Sequence, residues 1–237
     1  MARVFFISDI HGMYDELMEV FEKANVDYEN DVVICGGDVC DRGLKTFEVI
    51  EELLKIKNLI SLKGNHDDWL YTHAITGHHP AIEYFRETAE SYYKNANEYP
   101  ETSLSARYAS IPHSHYNFLS NQKLYYIDDQ NRLFVHAGLI LDMKIEDQDD
   151  SEFYWNRDLA RKAMSCGPGD KLNDVNGFKR IFIGHTPTVN WGKGGKNITT
   201  PIYKGQIVLC DTGACFGGKL TLMDVTDDEN HIIYQSN

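Results

Sequence analysis

Asp9 and His11 stand two residues apart in Ser8-Asp9-Ile10-His11-Gly12, a spacing that on an extended loop sends both side chains to one side. Alone this pair reads equally as a surface loop with a helix-capping Asp. A second cluster, Gly36-Gly37-Asp38-Val39-Cys40-Asp41-Arg42-Gly43, sets two carboxylates and a guanidinium between glycines. Asp38 could bridge two cations with its two oxygens, and Arg42 offers a planar fork of donors for phosphate oxygens, unless the pair is an ordinary salt bridge. A third, Lys63-Gly64-Asn65-His66-Asp67, adds an amide oxygen and an imidazole able to move a proton near neutral pH. Asp67 fits the first turn of a following helix for ordinary electrostatic reasons. His136 in Val135-His136-Ala137-Gly138 and His185 in Gly184-His185-Thr186-Pro187 complete the set. Either histidine alone reads as a hydrogen-bonded core residue. Together, carboxylate, imidazole and amide oxygen form a donor set that suits manganese, iron(II) or zinc better than calcium or copper(I).

Short apolar runs precede each of these clusters: Val4–Ile7, Val32–Cys35, Leu59–Leu62, Leu133–Val135 and Ile181–Ile183. Loops outside the carboxyl ends of strands in an open α/β sheet share one edge, so donors delivered there converge. The N-terminal third alternates strand, loop and helix, the pattern of parallel βαβ units. Tyr14, Leu17, Met18 and Phe21 mark one helical face, and Phe47, Ile50, Leu53 and Leu54 another. From 67 to 121 strand signals vanish; Ile82, Phe85, Ala89, Tyr92, Tyr93 and Ala96 trace an amphipathic helix, and Pro112 suits the opening of one more. This is a helical insertion, approximately 78–121, beside the site. Strands at 123–127 and 133–135 flank a turn at 128–131, and further strands at 198–203, 206–210, 219–225 and 231–234 predict a mixed or antiparallel second sheet. The acidic run 146–152 reads as a solvated loop, and 192–195 as a glycine-rich turn without the Ser or Thr of a P-loop.

The chain has 237 residues, 42% hydrophobic, enough for a substantial core, and reads as a single α/β domain over 1–237. A net charge of -13, from 36 acidic and 23 basic residues, disfavours nucleic acid and anionic membrane as partners. Five cysteines without a CxxC pair, and no leader-like or long apolar stretch, predict a reducing cytoplasmic setting. Cys35 and Cys210 belong to apolar runs and are expected to pack there. Cys40, in a ligand loop, reads as a small filler with oxidation as the alternative.

The motif order resembles the metallo-dependent phosphoprotein phosphatase family, of the calcineurin-like fold. The family's GD-x-HG, GD-x-VDRG and GNHE appear here as SDIHG, GDVCDRG and GNHD, spaced about 27 to 29 residues apart. With Trp155-Asn156-Arg157, the GHTP segment and Asp211-Thr212-Gly213-Ala214, the chain resembles the bacteriophage-lambda type of Ser/Thr phosphatase along nearly its whole length. The resemblance implies two mixed β-sheets packed as a central sandwich flanked by helices. It implies one metal on Asp9, His11 and Asp38, and a second on Asp38, Asn65, His136 and His185, two divalent ions with manganese foremost. His66 matches the general acid and Asp41 the carboxylate that orients it. Arg42 and Arg157 match the phosphate-gripping arginines, with Asn65 and His136 beside them. Ser8, Cys40, Asp67 and Ala137 depart from the family pattern, and none replaces a ligand.

Such a site is expected to turn a metal-bridging water into hydroxide for in-line attack on phosphorus, while His66 protonates the leaving oxygen. The leading expectation is a phosphatase of phosphorylated protein or peptide substrates on serine and threonine, extending to phosphotyrosine and aryl phosphates. A dinucleoside tetraphosphatase or phosphodiesterase with the same metal pair is the alternative, against which the DRG triplet counts, because those tetraphosphatases typically carry Ala at the Asp41 position. A non-catalytic metal scaffold would be expected to lack a ligand, and none is missing. The segment after Asp211-Thr212-Gly213 also lacks the tyrosine-bearing loop of the family's eukaryotic members.

Overall fold

A computed structural model describes residues 2–95, 111–167, 177–192 and 196–237. Residues 193–195 of the expected turn at 192–195, and residues 96–110 of the expected helical insertion, including Ala96, lie outside the described residues. Strand β1 (Val4–Ile7) leads to helix α1 (Tyr14–Ala24), β2 (Val32–Cys35) to α2 (Thr46–Leu53), and β3 (Asn58–Ser61) to α3 (Asn65–Thr76). Helices α4 (Ile82–Asn95) and α5 (His113–Ser120) follow, then β4 (Tyr125–Ile127) and β5 (Arg132–Val135). Helices α6 (Asp150–Trp155) and α7 (Asp158–Ser165) precede β6 (Arg180–Ile183), β7 (Ile202–Lys204), β8 (Ile207–Leu209), β9 (Thr221–Asp224) and β10 (Ile232–Gln235).

Two five-stranded mixed sheets result, ordered β10-β9-β1-β2-β3 and β4-β5-β6-β8-β7. Strands β1, β2 and β3 run parallel, as do β5, β6 and β8. The inner strands β1, β2, β5, β6, β8 and β9 are buried on both faces, as strands between two layers require. In β1, Phe5 and Ile7 pack under the helices, whereas Phe6 joins Ile34, Phe134, Phe182 and Val208 in a separate core with one face from each sheet. Phe134 and Phe182 stack at 4.7 Å, and Phe6 meets them at 5.5 and 5.7 Å. The second sheet covers its outer face with α7 and Phe153 of α6. Among the described residues, no helix is long and apolar enough to cross a membrane.

Several sequence expectations are corrected. Strands β9 and β10 join the first sheet, not the second: β9 pairs antiparallel with β1, Phe6 opposite Met223. The loop carrying Asp9 and His11 is not extended, since both residues are left-handed, at φ 56° and 48°. The buried face of α1 is Leu17, Val20, Phe21 and Ala24, and that of α2 takes Val49 in place of the exposed Leu54. The acidic run is partly helical, α6 burying Phe153. Helix α4 buries Phe85, Thr88, Ser91 and Tyr92 while Ile82 and Tyr93 face solvent, so its inner face joins the apolar core through two rings and meets polar groups through two hydroxyls. Ser91 Oγ accepts from Phe47 N–H and donates to Glu48 there.

Candidate active site

The parallel strands of the two sheets end at one edge, and six of them release a polar residue there. Asp9 and His11 follow β1, Asp38 and Asp41 follow β2, Asn65 opens α3 after β3, His136 follows β5, His185 follows β6 and Asp211 follows β8. All of these side chains are buried. Backbone bonds tie the loops together: Asp9 N–H donates to Gly37 O, His11 N–H to Asp38 O and Gly184 N–H to His136 O. Eight described non-glycine residues have positive φ, and Asp9, His11, Asp38, Asp41, Arg42 and His185 are six of them. Such conformations cost of order 1–3 kcal/mol each and persist only where the surroundings over-determine them. A Cβ on Gly64 would strike the Asp38 backbone nitrogen and Oδ1, so glycine is needed at that close approach, and one on Gly184 would push against the side chains of Asp9 and Ser8.

Asp38 stands at the centre. Its carboxylate groups with His11 and His66 on one side and with His136 and His185 on the other, the ligand atoms of each trio lying within 4.8 Å of one another. His11 Nε2 is 3.6 Å and His136 Nε2 3.4 Å from Asp38 Oδ2. His11 Nδ1 bonds Cys40 O at 2.7 Å and His136 Nδ1 bonds Gly36 O at 2.8 Å, so both Nε2 atoms are turned inward by the backbone. Asn65 Oδ1 lies 3.4 Å from His136 Nε2. The carboxylate of Asp9 accepts from Ser8 Oγ and, through both oxygens, from His185 N–H; the trio around His11 closes through His66 instead of Asp9.

The electrostatics fit a cation pair. Burial pushes the His11 imidazole down to about 3 and that of His185 down to about 2, leaving both in the neutral, ligating form. His185 Nε2 is buried without a hydrogen-bond partner among the described residues. Burial raises Asp9 to about 6, with Asp38 adding to the rise, and burial beside Asp9 raises Asp211 well above the usual carboxylate range. Burial would also raise Asp38, but His136 and His66 outweigh it and hold it well below that range. His136 is the reverse case: burial would lower it, and Asp38 lifts it to about 10. Three crowded buried carboxylates and an orphaned imidazole nitrogen are what two dications would neutralise and ligate.

Beside this floor, His66 Nδ1 meets Asp41 Oδ2 at 2.7 Å, while its Nε2 lies 3.4 Å from Arg42. Burial alone would lower His66, but Asp38 and the Asp41 hydrogen bond outweigh it and hold it above the ordinary histidine range. Arg157 donates to His185 O at 3.2 Å. Arg42, Arg157, Asn65 and His66 line a cleft of about 110 Å³ together with Asp9, Asp38, Asp211 and Phe216. The sites read from the sequence are therefore brought together, and Cys40 is a buried filler whose thiol burial pushes well above its usual range.

Three contributors went unread. Asp211 appeared only within a motif, yet it lines the cleft. Asp67 is no ordinary helix-terminus charge: it accepts from the N–H groups of Asp38, Val39 and Gly64 and from Gln122 Nε2, locking two ligand loops together. The third is an aromatic rim. The guanidinium of Arg42 lies 5.1 Å from the Tyr84 ring centre and 4.8 Å from that of Phe216. Tyr84 stacks on Trp69 at 6.0 Å, Trp69 meets Trp155 at 5.3 Å, and Trp155 meets His185 at 6.0 Å. Phe216 sits where the sequence showed no tyrosine-bearing loop, and no short-range signal links these scattered aromatics.

The calcineurin-like phosphoesterase family model matches residues 2–207. Among curated relatives, the bis(5'-nucleosyl)-tetraphosphatase PrpE [asymmetrical] of Anoxybacillus flavithermus is 27% identical over 233 residues, 92% of this chain and 88% of that protein. The protein of the same name from Bacillus cereus is 27% identical over 232 residues, 91% of this chain and 87% of its own length. Among solved structures, a candidate diadenosine tetraphosphatase superposes with TM-score 0.66 at 19% identity, covering 100% of this chain and 94% of that one. A protein serine/threonine phosphatase from Saccharomyces cerevisiae gives 0.64 at 16%, covering 100% and 80%. Both structural likenesses bear on the fold alone.

Proposed function

The chain belongs to the calcineurin-like phosphoesterase family, and from that membership we propose that it hydrolyses a dinucleoside tetraphosphate, splitting the polyphosphate chain asymmetrically. The aromatic rim carries this reading. Phe216 lines the polar cleft, Tyr84 packs on Arg42 and Trp155 on His185 beside it, and the three rings are 45%, 37% and 41% exposed, a grouping of open aromatics at a polar cleft that suits a flat apolar ligand group. Nucleobases stacked on such rings contribute about 1–3 kcal/mol each. Likeness over more than nine-tenths of the chain to tetraphosphatases supports the same reading and outweighs the single DRG triplet, so the order of the two readings taken from the sequence is reversed.

In this proposal Asp9, His11 and Asp38 hold one divalent cation, and Asp38, Asn65, His136 and His185 a second. Bound there, the cations would supply an acidified water as nucleophile and positive charge against the phosphoryl oxygens. Arg42 and Arg157 grip the non-bridging oxygens, Arg42 being steadied by Tyr84 and Phe216. His66 carries a proton on Nε2 to the departing oxygen, and Asp41 fixes the ring by accepting from Nδ1. Asp211 lines the same cleft and adds a further buried carboxylate beside Asp9.

The phosphoserine and phosphothreonine reading keeps one specific support. A nucleotide phosphate leaves with little help, whereas a serine alkoxide needs the proton that the 2.7 Å His66–Asp41 pair is built to supply. The test is to strip the protein with chelator, restore manganese, zinc, iron(II) or magnesium separately, and compare kcat/KM on diadenosine tetraphosphate and on a phosphoserine peptide. The dinucleotide should be favoured; preference for the peptide would overturn the proposal.

A further inference from the structure

The proton-donating pair is not held by the strand-end loops alone. Thr88, on α4, is fully buried, and its hydroxyl grips Asp41 twice. Its Oγ1 accepts from Asp41 N–H at 2.9 Å and donates to Asp41 Oδ1 at 2.9 Å. The directions follow from the hydrogens available, since an amide nitrogen only donates, which leaves the hydroxyl its own proton to give to the carboxylate oxygen. Asp41 and Arg42 sit at φ 67° and 70°, a conformation that needs external support in residues other than glycine. One side chain thus holds both the strained backbone and the carboxylate of Asp41.

The other oxygen, Oδ2, receives His66 Nδ1 at 2.7 Å and is approached by His79 Nε2 at 3.9 Å. His79 Nδ1 accepts from Ala81 N–H, so its own proton lies on Nε2, the nitrogen that faces Asp41 and has no hydrogen-bond partner among the described residues. Four residues before Thr88, one helical turn away, Tyr84 lies 5.6 Å from the His66 ring. Helix α4 therefore bears on the proton donor directly through Tyr84 and, through Thr88, by way of Asp41.

We infer that Thr88 is a positioning residue: its hydroxyl fixes Asp41 so that the carboxylate holds His66 with Nε2 toward the leaving oxygen, which makes α4 part of the acid machinery and not only a wall of the cleft. The inference rests on the acid role proposed for His66. The test compares Thr88→Val, Thr88→Ser, His66→Asn and Thr46→Val as manganese-loaded enzymes on p-nitrophenyl phosphate and phenyl phosphate, whose leaving groups differ in their need for a proton. Thr88→Val should lower kcat about tenfold on phenyl phosphate and less than about twofold on p-nitrophenyl phosphate with KM unchanged, a part of the roughly 10²–10⁴ that a positioned acid supplies. Thr88→Ser should restore both rates. Thr46→Val, which removes the buried hydroxyl 3.3 Å from Thr88 Oγ1, should leave the ratio of the two rates unchanged. In zinc-loaded protein, the downfield proton resonance of the His66–Asp41 bond should weaken or shift in Thr88→Val and return in Thr88→Ser. Equal losses on both substrates with an unmoved resonance would make Thr88 a mere tether and overturn the inference. If His66→Asn is itself unselective, the acid falls and the clamp with it; selectivity in His66→Asn but none in Thr88→Val removes the clamp alone.

Discussion

The floor of the cleft and its rim are made by opposite means. On the floor, the donors follow strand ends and are buried, and four of them are aimed by backbone groups: Cys40 O for His11, Gly36 O for His136, His185 N–H for Asp9 and His66 N–H for Asp38. On the rim, Trp69 and Tyr84 come from α3 and α4, Trp155 from the end of α6 and Phe216 from a 3₁₀ turn at Ala214–Phe216, the first three held by ring contacts and Phe216 by the Arg42 guanidinium, and all partly open to solvent. A site aimed by backbone is hard to alter without losing the fold of the loops. A rim of side chains can be exchanged one ring at a time. The floor should thus govern whether phosphorus chemistry occurs, and the rim which phosphate arrives.

The sharpest way to break this division is Asp38→Asn, which removes the carboxylate common to both trios. Turnover should fall on every substrate by more than the roughly 10–100-fold typical of groups one layer behind a metal, and elemental analysis should find fewer than two cations per chain. Unchanged metal content would refute the shared-ligand role. His66→Asn comes next, with a loss of about 10²–10⁴ on poor leaving groups and far less on aryl phosphates with good ones. Equal losses on the two would take His66 out of the acid role. On the rim, Trp155→Ala should raise KM for diadenosine tetraphosphate by an amount equivalent to about 1–3 kcal/mol while leaving p-nitrophenyl phosphate untouched, whereas Phe216→Ala, which also loosens Arg42, should raise both values, that for the dinucleotide more. A matching rise on the aryl ester would place these rings on the floor's side of the comparison. Smallest is Asp67→Asn, which keeps every proposed ligand but weakens the bonds joining two loops. A cost of about 1–3 kcal/mol in stability is expected, read as a lower Tm with both cations retained.

The floor was legible in the chain because donor type and order survive without coordinates: an apolar run, then Asp, His or Asn, repeated along the sequence. What aims those donors was not. Nothing about Asp9, His11, Asp41 or Arg42 announces a left-handed backbone, which these residues adopt only because neighbouring loops impose it. The partner of β1 was missed for a related reason, since Phe5 pairs with Asp224 across nearly the whole chain and local periodicity carries no record of such a contact. Thr88 escaped because a buried hydroxyl looks like a surface residue until its partner, Asp41, is known. Aromatics scattered from 69 to 216 look like core until folding leaves them in solvent.

The pairing of β1 with β9 has a consequence for synthesis on the ribosome. Asp9 and His11 follow a strand whose second neighbour, Thr221–Asp224, is translated more than 200 residues after it. Until then β1 has β2 on one side and an open edge on the other, the kind of exposed template that invites intermolecular pairing. Nascent chains are therefore expected to need shielding along β1, and truncation before residue 221 should yield aggregates instead of a smaller enzyme.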